Sequence, residues 1–182
     1  NARVRELQPG ILINNRSGTP EDFGTPEQKI DPERDPDRMW ETCMTLNYAP
    51  GWAHLRHSMA NKTPGEVLFN LVSAVRLGGN FLFNVGPDAR GRLDERDEAT
   101  VAALGRWMDK HGEAIYGTRP TGIYREANQG PCYHYGMFTC RGAVAYLSLF
   151  YYPEEYVVIS RVGPAIRSAE LLTTGQPLRV EP

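Results

Sequence analysis

The feature that most constrains this chain is residues 11–28, where a short apolar run passes directly into a loop rich in glycine, proline and acidic side chains. The run Gly10–Ile13 ends abruptly in Asn14-Asn15-Arg16, which predicts a buried strand with polar groups at its carboxyl end. Residues 17–26 contain two glycines and two prolines and therefore predict a loop. Three carboxylates follow the strand, on Glu21, Asp22 and Glu27. The segment is either a solvated acidic loop or a set of functional groups held at a strand end.

Up to residue 119 the pattern alternates strands with helices, as in a parallel sheet covered by helices. Thr63 is the predicted N-cap of one helix, because Pro64 occupies the first helical position and Glu66 completes a capping box. Residues 80–85 are apolar except for two asparagines, which predicts a strand buried on both faces. The other predicted elements are a strand at 40–46 and a helix from Asp94 or Glu95 to Gly112.

From residue 121 the chain changes to short runs separated by glycine, proline, asparagine or acidic turns. This spacing predicts antiparallel strands of a β-sandwich. The predicted fold class is therefore α/β followed by all-β, with one part at 1–119 and a second at 120–182. The predicted strands lie at 122–125, 133–139, 143–151, 156–161, 166–172 and 178–180.

Composition excludes several classes of function. The formal net charge is −2 and the basic residues are dispersed, so nucleic acid is not an expected partner. No run approaches 18 apolar residues, so no membrane-spanning helix is expected. The three cysteines, Cys43, Cys132 and Cys140, lack CxxC spacing and the four histidines form no matching ligand set, so neither a metal nor another cofactor is expected. Cys132 and Cys140 are either a disulfide across paired strands or buried thiols.

Five motifs occur along the chain in a fixed order. They are Asn14-Asn15-Arg16, Asp22-Phe23-Gly24-Thr25-Pro26-Glu27, Trp40-Glu41, GGNFLFNVGP at 78–87 and GEAIYG at 112–117. Their content and order resemble the α-L-fucosidases of glycoside hydrolase family 29, closely over residues 9–119 and loosely beyond. The resemblance implies a retaining exo-glycosidase that hydrolyses terminal α-L-fucosyl residues from glycans. It also implies a (β/α)8-like (TIM) barrel followed by an antiparallel β-sandwich.

The length of the chain bears on how much of that fold is present. A complete barrel needs about 250 residues, and the barrel-like motifs here end near Gly117. We therefore expect residues 1–119 to be the second half of the barrel and residues 120–182 to be part of the sandwich. We expect a companion chain or a missing segment to carry the first half. The resemblance suggests a secreted, periplasmic or lysosomal enzyme, although no signal peptide is evident and the compartment stays open.

The resemblance also assigns catalytic roles. A retaining glycosidase needs two carboxyl groups about 5–5.5 Å apart, one as nucleophile and one as acid/base. Glu27 matches the family's general acid/base, and Glu41 is the second candidate, as acid or as substrate contact. The family's nucleophile is an aspartate on an earlier strand, and no aspartate here matches it; Asp22 and Asp31 are not assigned the role. The chain alone is therefore expected to be inactive, and a noncatalytic glycan-binding remnant is the alternative function.

Three further residues are expected to bind the sugar. The rigid donor fork of Arg16 suits sugar hydroxyls, and Trp40 beside Glu41 suits a sugar face, although a core role for Trp40 is equally consistent with the sequence. Where the family has an aromatic residue, this chain has Pro50, so Trp52 or Tyr48 is expected to contact the fucose methyl group. His54 and His57 belong to the same loop and are either solvated or part of the site. We expect Arg16, Glu27, Trp40 and Glu41 to converge on one concave site at the carboxyl ends of the strands.

Overall fold

The computed structural model describes residues 1–32, 38–48, 52–54, 60–120, 136–152, 155–159 and 166–181. Three α-helices lie in this part of the chain: α1 (Ala2–Leu7), α2 (Pro64–Arg76) and α3 (Glu95–His111). Its strands are β1 (Phe23–Gly24), β2 (Met39–Thr45), β3 (Asn80–Asn84), β4 (Gly136–Arg141), β5 (Val144–Leu149), β6 (Ala169–Leu171) and β7 (Gln176–Leu178). Short 3-10 turns occur at Asn15–Ser17 and Gly112–Ala114.

The first three strands form a parallel sheet in the order β1-β2-β3. Helix α2 connects β2 to β3, and α3 follows β3, so the alternation predicted from the sequence is present. The sheet extends beyond β1 itself, because Glu27 pairs with Cys43 in the same register in which Gly24 pairs with Trp40. Residues 23–27 therefore run alongside β2 as one extended segment, which carries Glu27 to the sheet.

The ends of α2 and α3 lie close to the predicted positions. The side chain of Thr63 accepts a hydrogen bond from the Glu66 amide and the Glu66 carboxylate accepts one from the Thr63 amide, so the predicted capping box is confirmed. Gly78 ends the α2 segment with a φ of +84°, a conformation that favours glycine. Helix α3 begins after Asp94 and gives way to the 3-10 turn at Gly112, as expected.

The predicted buried strand at Gly10–Ile13 is wrong. Only Asn14 pairs with β1, and Leu12 is exposed. The amide of Ile13 donates to a carboxylate oxygen of Asp22 at 2.7 Å, while its carbonyl accepts from the Asp22 amide at 2.8 Å. Because a side chain takes the amide that a neighbouring strand would need, the pairing stops after one bridge.

The last part of the described chain is antiparallel β-structure, in which β4 pairs with β5 and β6 with β7. It packs on the helices through a core in which Val72, Ile115 and Met137 are buried together. Residues 156–159, part of a predicted strand, do not form a strand with the described residues. The predicted strand at 122–125 and the Cys132–Cys140 question involve residues outside the described ranges.

Candidate active site

One face of the parallel sheet gathers the polar side chains of three neighbouring strands. In a parallel pair, residues directly opposite each other project to the same face, and alternate residues along a strand share that face. The register pairs Glu27 with Cys43, Glu41 with Asn80 and Thr45 with Asn84. We call this surface the polar sheet face; it comprises Thr25, Glu27, Glu41, Cys43, Thr45, Asn80, Leu82 and Asn84.

The polar sheet face is open in the described structure. Leu82 lies at its centre in β3, opposite Cys43, and is 48% exposed. Strands of parallel sheets are ordinarily covered on both faces. The opposite face meets that expectation, because Trp40, Thr42 and Met44 of β2 are all buried. Thr45 at the end of β2 is buried at 1% exposure, but the other side chains of the polar sheet face are accessible to a ligand or to further protein.

Arg16 and Glu27 meet on this face. The Arg16 Nη2 donates to Glu27 Oε2 at 2.5 Å, across a separation of eleven residues in the chain. The two side chains are 52% and 38% exposed, so solvent screens the ion pair and its contribution to stability is small. Its importance is geometric, because a charge-assisted hydrogen bond fixes where the carboxylate lies.

Thr25 and Asn15 hold Arg16 in place. The Nε of Arg16 donates to Thr25 Oγ1 at 3.2 Å. The Thr25 hydroxyl in turn donates to Asn15 Oδ1 at 2.7 Å, and the Thr25 amide donates to the same oxygen at 3.1 Å. The side chain of Asn14 accepts from the Arg16 amide and caps the short turn from which Arg16 projects. A connected network of hydrogen bonds therefore fixes both the backbone and the guanidinium of Arg16.

Glu41 and Cys43 share the polar sheet face with Glu27. Burial raises the pKa of the Cys43 thiol, and the carboxylates of Glu27 and Glu41 raise it further, whereas Arg16 lowers it. The charges of Glu27, Glu41 and Arg16 therefore all act on the thiol in β2. Glu41 lies in the first half of β2 and not at the carboxyl end of the strand, where it was predicted. A thiol with a raised pKa stays protonated and does not compete as a nucleophile.

The prediction that Trp40 lines the same pocket as Glu41 is wrong in this structure. Consecutive strand residues project to opposite faces, so Trp40 lies on the face away from Arg16, Glu27 and Glu41. Its indole is 3% exposed and packs on Gly79 so closely that no Cβ would fit there. Trp40 is therefore a core side chain, and the predicted convergence of four residues does not include it.

The loop that carries Trp52 reaches the carboxyl end of β3. The Asn84 Nδ2 donates to the Trp52 carbonyl oxygen at 3.4 Å, and a Cβ at Gly86 would lie 2.5 Å from the Ala53 carbonyl oxygen. Glycine is thus required where the two backbones approach. Trp52 itself is 39% exposed. The contact joins its loop to Asn84, which belongs to the polar sheet face.

The other predicted loop residues have separate surroundings. The Tyr48 hydroxyl donates to Glu66, and the Lys62 ammonium lies over the Tyr48 ring, so Tyr48 packs at the start of α2. His57 lies outside the described residues. A surface cavity of about 400 Å³ is lined by His54, Asp88, Arg92, Leu93, Asp94 and Glu98. Neither Arg16 nor Glu27 lines it, so it is a separate feature at the start of α3.

The nearby carboxylates Glu21 and Asp22 are occupied by structural contacts. Hydrogen bonds from Asn1 and Arg5 lower the pKa of Glu21 to about 2. The Ile13 amide and Arg5 lower the pKa of Asp22 as well. Both groups therefore hold α1 against the loop, and neither lies free to attack a substrate. Asp31 pairs with Lys29 at 2.6 Å.

Sequence reasoning did not identify Thr25, Asn15 or Asn84 as site residues. Thr25 and Asn15 lie inside motifs that are visible in the sequence, but their hydrogen bonds depend on how the loop folds. Within the described ranges, no group of three or more His, Cys, Asp or Glu side chains is arranged to hold a metal. No helix in the same ranges is long and apolar enough to cross a membrane.

The polar sheet face lies within the part of the chain that matches a known protein family. The family model for α-L-fucosidase matches residues 2–113, which include both Glu27 and Glu41. This match places the chain among the glycoside hydrolases. Tissue α-L-fucosidase from Bos taurus is 32% identical over 149 residues, covering 81% of this chain and 30% of that protein. The chain belongs to the α-L-fucosidase family, glycoside hydrolase family 29.

Solved structures agree with the family match. Isoenzyme 1 from Paenibacillus thiaminolyticus superimposes with a TM-score of 0.85 at 29% identity, covering 99% of this chain and 44% of that one. The Bacteroides thetaiotaomicron enzyme, trapped as a covalent intermediate with 2-fluoro-fucosyl fluoride in a glutamate-to-glutamine variant, gives 0.80 at 29% identity and covers 97% and 44%. The chain shares its fold with these enzymes, which combine a TIM barrel with a β-sandwich. It spans less than half the length of the relatives described here.

Proposed function

We propose that this chain supplies the general acid/base and part of the sugar-binding wall of a retaining exo-α-L-fucosidase. The observation that carries the proposal is the position of Glu27 on the open polar sheet face, held there by Arg16. A general acid must lie within hydrogen-bond reach of the leaving oxygen. A carboxylate on an exposed sheet face, fixed by one donor and open on its other side, meets that requirement.

The proposed reaction uses Glu27 twice. Glu27 begins the reaction protonated on Oε1, while Oε2 accepts the hydrogen bond from Arg16. In the first step a nucleophilic carboxylate attacks the anomeric carbon, the bond to the leaving oxygen breaks, and Glu27 transfers its proton to that oxygen. In the second step Glu27, now ionised, takes a proton from water as the water attacks the anomeric carbon and releases the nucleophile. The covalent intermediate described for the Bacteroides relative supports a two-step reaction of this kind.

We propose that the nucleophile comes from strands that complete the sheet. The carboxylates on the polar sheet face of the described chain are Glu27 and Glu41. The exposure of Leu82 supports a further layer of protein over this face, since a parallel strand is normally covered. In this proposal residues 1–119 are the second half of a (β/α)8-like barrel, and residues 120–182 are part of the sandwich. The first half is supplied by a companion chain or by a preceding segment of the same protein.

The remaining residues bind the sugar. The Nη1 group of Arg16 makes no hydrogen bond with the described residues, so it can donate to a fucose hydroxyl. Glu41, on the same face, accepts from another hydroxyl, or serves as the acid if Glu27 does not. Trp52, tied to Asn84, supplies an apolar wall for the fucose methyl group.

Replacing Glu27 with alanine in the full-length enzyme tests the proposal. A fucoside with a poor leaving group needs protonation, so its turnover should fall about 10²–10⁴-fold, the usual range for lost general acid catalysis. An aryl fucoside with a good leaving group forms the glycosyl-enzyme without an acid. Its second step then becomes limiting, and added azide should accelerate turnover because azide needs no general base.

The matched control is Glu41→Ala on the same face. If azide accelerates Glu41→Ala and leaves Glu27→Ala unchanged, the acid/base is Glu41 and the assignment to Glu27 is wrong. If the full-length parent protein binds fucose but hydrolyses no fucoside, the noncatalytic glycan-binding function replaces the enzymatic one.

A further inference from the structure

We propose that Thr25 is a positioning residue for this reaction: its hydroxyl aims the Arg16 guanidinium so that one Nη group holds Glu27 and the other faces the substrate. The inference rests on the proposed acid/base role of Glu27. It goes beyond that role because neither the family match nor the sequence motifs distinguish Thr25 from its neighbours. The geometry of two side chains, Thr25 and Asn15, carries it.

The Thr25 hydroxyl has one proton and two lone pairs, and the structure uses them in a defined way. The proton goes to Asn15 Oδ1, 2.7 Å away, because an amide oxygen can only accept. A lone pair is then directed at Arg16 Nε, 3.2 Å away, which can only donate. Reversing either bond would place two donors or two acceptors together. The hydroxyl is therefore oriented by its partners.

The backbone of Thr25 is fixed as well. Its amide donates to the same Asn15 oxygen at 3.1 Å, and the flanking residues Gly24 and Glu27 pair with β2 in one register. Thr25 thus projects onto the polar sheet face two residues before Glu27. At its own end, the Arg16 amide is held by the Asn14 cap. The arginine side chain is therefore anchored at its backbone and at Nε, and the remaining freedom of the guanidinium is small.

Because of this anchoring, each nitrogen of the Arg16 guanidinium has a different role. Nε is committed to Thr25 and Nη2 to Glu27, while Nη1 has no partner among the described residues. The arginine is a long side chain that loses much rotamer freedom when it is ordered. Thr25 removes part of that freedom before substrate arrives. A displacement of about 1 Å in a catalytic group can cost on the order of 10²-fold in rate, so the aim of Arg16 affects the proton transfer by Glu27.

The test is Thr25→Val in the full-length enzyme, which keeps the branched shape and removes both hydrogen-bonding roles. The readout is kcat/KM for an alkyl fucoside, a poor leaving group, divided by kcat/KM for an aryl fucoside with a good one. Impaired proton donation lowers this ratio, and we expect about a tenfold fall, the effect of losing one hydrogen bond to a charged group. Thr25→Ser restores the hydroxyl and should return the ratio to within about twofold of the parent.

Two more variants complete the design. Asn15→Ala removes the acceptor that orients the hydroxyl, so it should lower the same ratio. It therefore provides the test if Thr25→Val fails to fold. Thr19→Val is the matched control, because the Thr19 hydroxyl bonds to Glu21 in the same loop and does not touch Arg16. Its ratio should equal that of the parent.

The outcomes separate this inference from the proposed function. One outcome is that Glu27→Ala lowers the ratio while Thr25→Val and Asn15→Ala lower kcat/KM equally for the alkyl and the aryl fucoside. In that case Thr25 has only a structural role and the inference is wrong. If Thr25→Ser behaves like Thr25→Val, the hydroxyl is not the active feature. If Glu27→Ala itself leaves the ratio unchanged, the proposed function fails and this inference fails with it.

Discussion

Replacing Gly79 with alanine tests the assignment of Trp40 to the core. A Cβ at Gly79 would lie 2.4 Å from both Cε2 and Cζ2 of Trp40, whereas ordinary contacts of this kind are 3.4–4 Å. The ring is 3% exposed and has no open space to move into. We therefore expect the free energy of unfolding to fall by about 1–3 kcal/mol, the usual cost of adding a methyl group to a packed core.

A double-mutant cycle identifies the contact. Trp40→Phe removes the outer indole atoms that the new Cβ would meet, at a cost of about 1–2 kcal/mol for the smaller side chain. In the Gly79→Ala, Trp40→Phe double variant the added methyl group occupies the vacated space. The double variant should therefore be less destabilised than the sum of the single variants, by about 1 kcal/mol or more.

The assay is urea unfolding of the full-length enzyme followed by circular dichroism, together with KM for an aryl fucoside. Gly105→Ala is the control, because a Cβ at Gly105 meets nothing within 4 Å and alanine favours the helix. Additive effects in the cycle would refute the packing contact. A large rise in KM for Trp40→Phe, without loss of stability, would refute the core assignment and return Trp40 to the sugar site.

Two further predictions concern the loops. Gly86→Ala should raise KM about tenfold with a smaller effect on kcat, because the new Cβ would meet the Ala53 backbone and displace Trp52 from its proposed contact with the sugar; steady-state kinetics showing an unchanged KM would contradict this. The depressed pKa of Glu21, about 2 against 4.5 for the free group, contributes stability that is present above pH 4.5 and is lost as pH falls toward 2. Glu21→Gln should therefore flatten the acid side of the stability profile, and an unchanged profile between pH 2 and 4.5 would contradict it.

Local signals in the sequence were sufficient for α2 and α3, whereas α1 was not predicted. The capping box at Thr63 and Glu66 and the glycines at 78 and 112 act through bonds within a few residues, so their sequence pattern predicts their geometry. The bounds of strand β3 were predicted to within one residue, because an apolar run between glycines has few alternatives. Its predicted burial on both faces is wrong in the described structure, where Leu82 is 48% exposed. The predicted strand at Gly10–Ile13 failed because the Asp22 side chain, nine residues away from Ile13, takes the amide that pairing requires.

The candidate site required long-range information. The sequence places Trp40 beside Glu41, and adjacency suggested a shared pocket. Alternation along β2 sends the two side chains to opposite faces, and packing on Gly79 buries the tryptophan. Glu27 showed the reverse: its glycine- and proline-rich surroundings predicted a loop, yet the segment pairs in register with β2.

The sequence by itself determined the family, through five motifs in order, and with it the identities of Arg16, Glu27 and Glu41 as the residues to consider. The tertiary structure decided which of the candidate side chains face one another. Strand register and face depend on pairing between segments far apart in the chain, and one step in register reverses every side chain. That pairing brought Arg16, Thr25 and Glu27 together on the polar sheet face and turned Trp40 away from it.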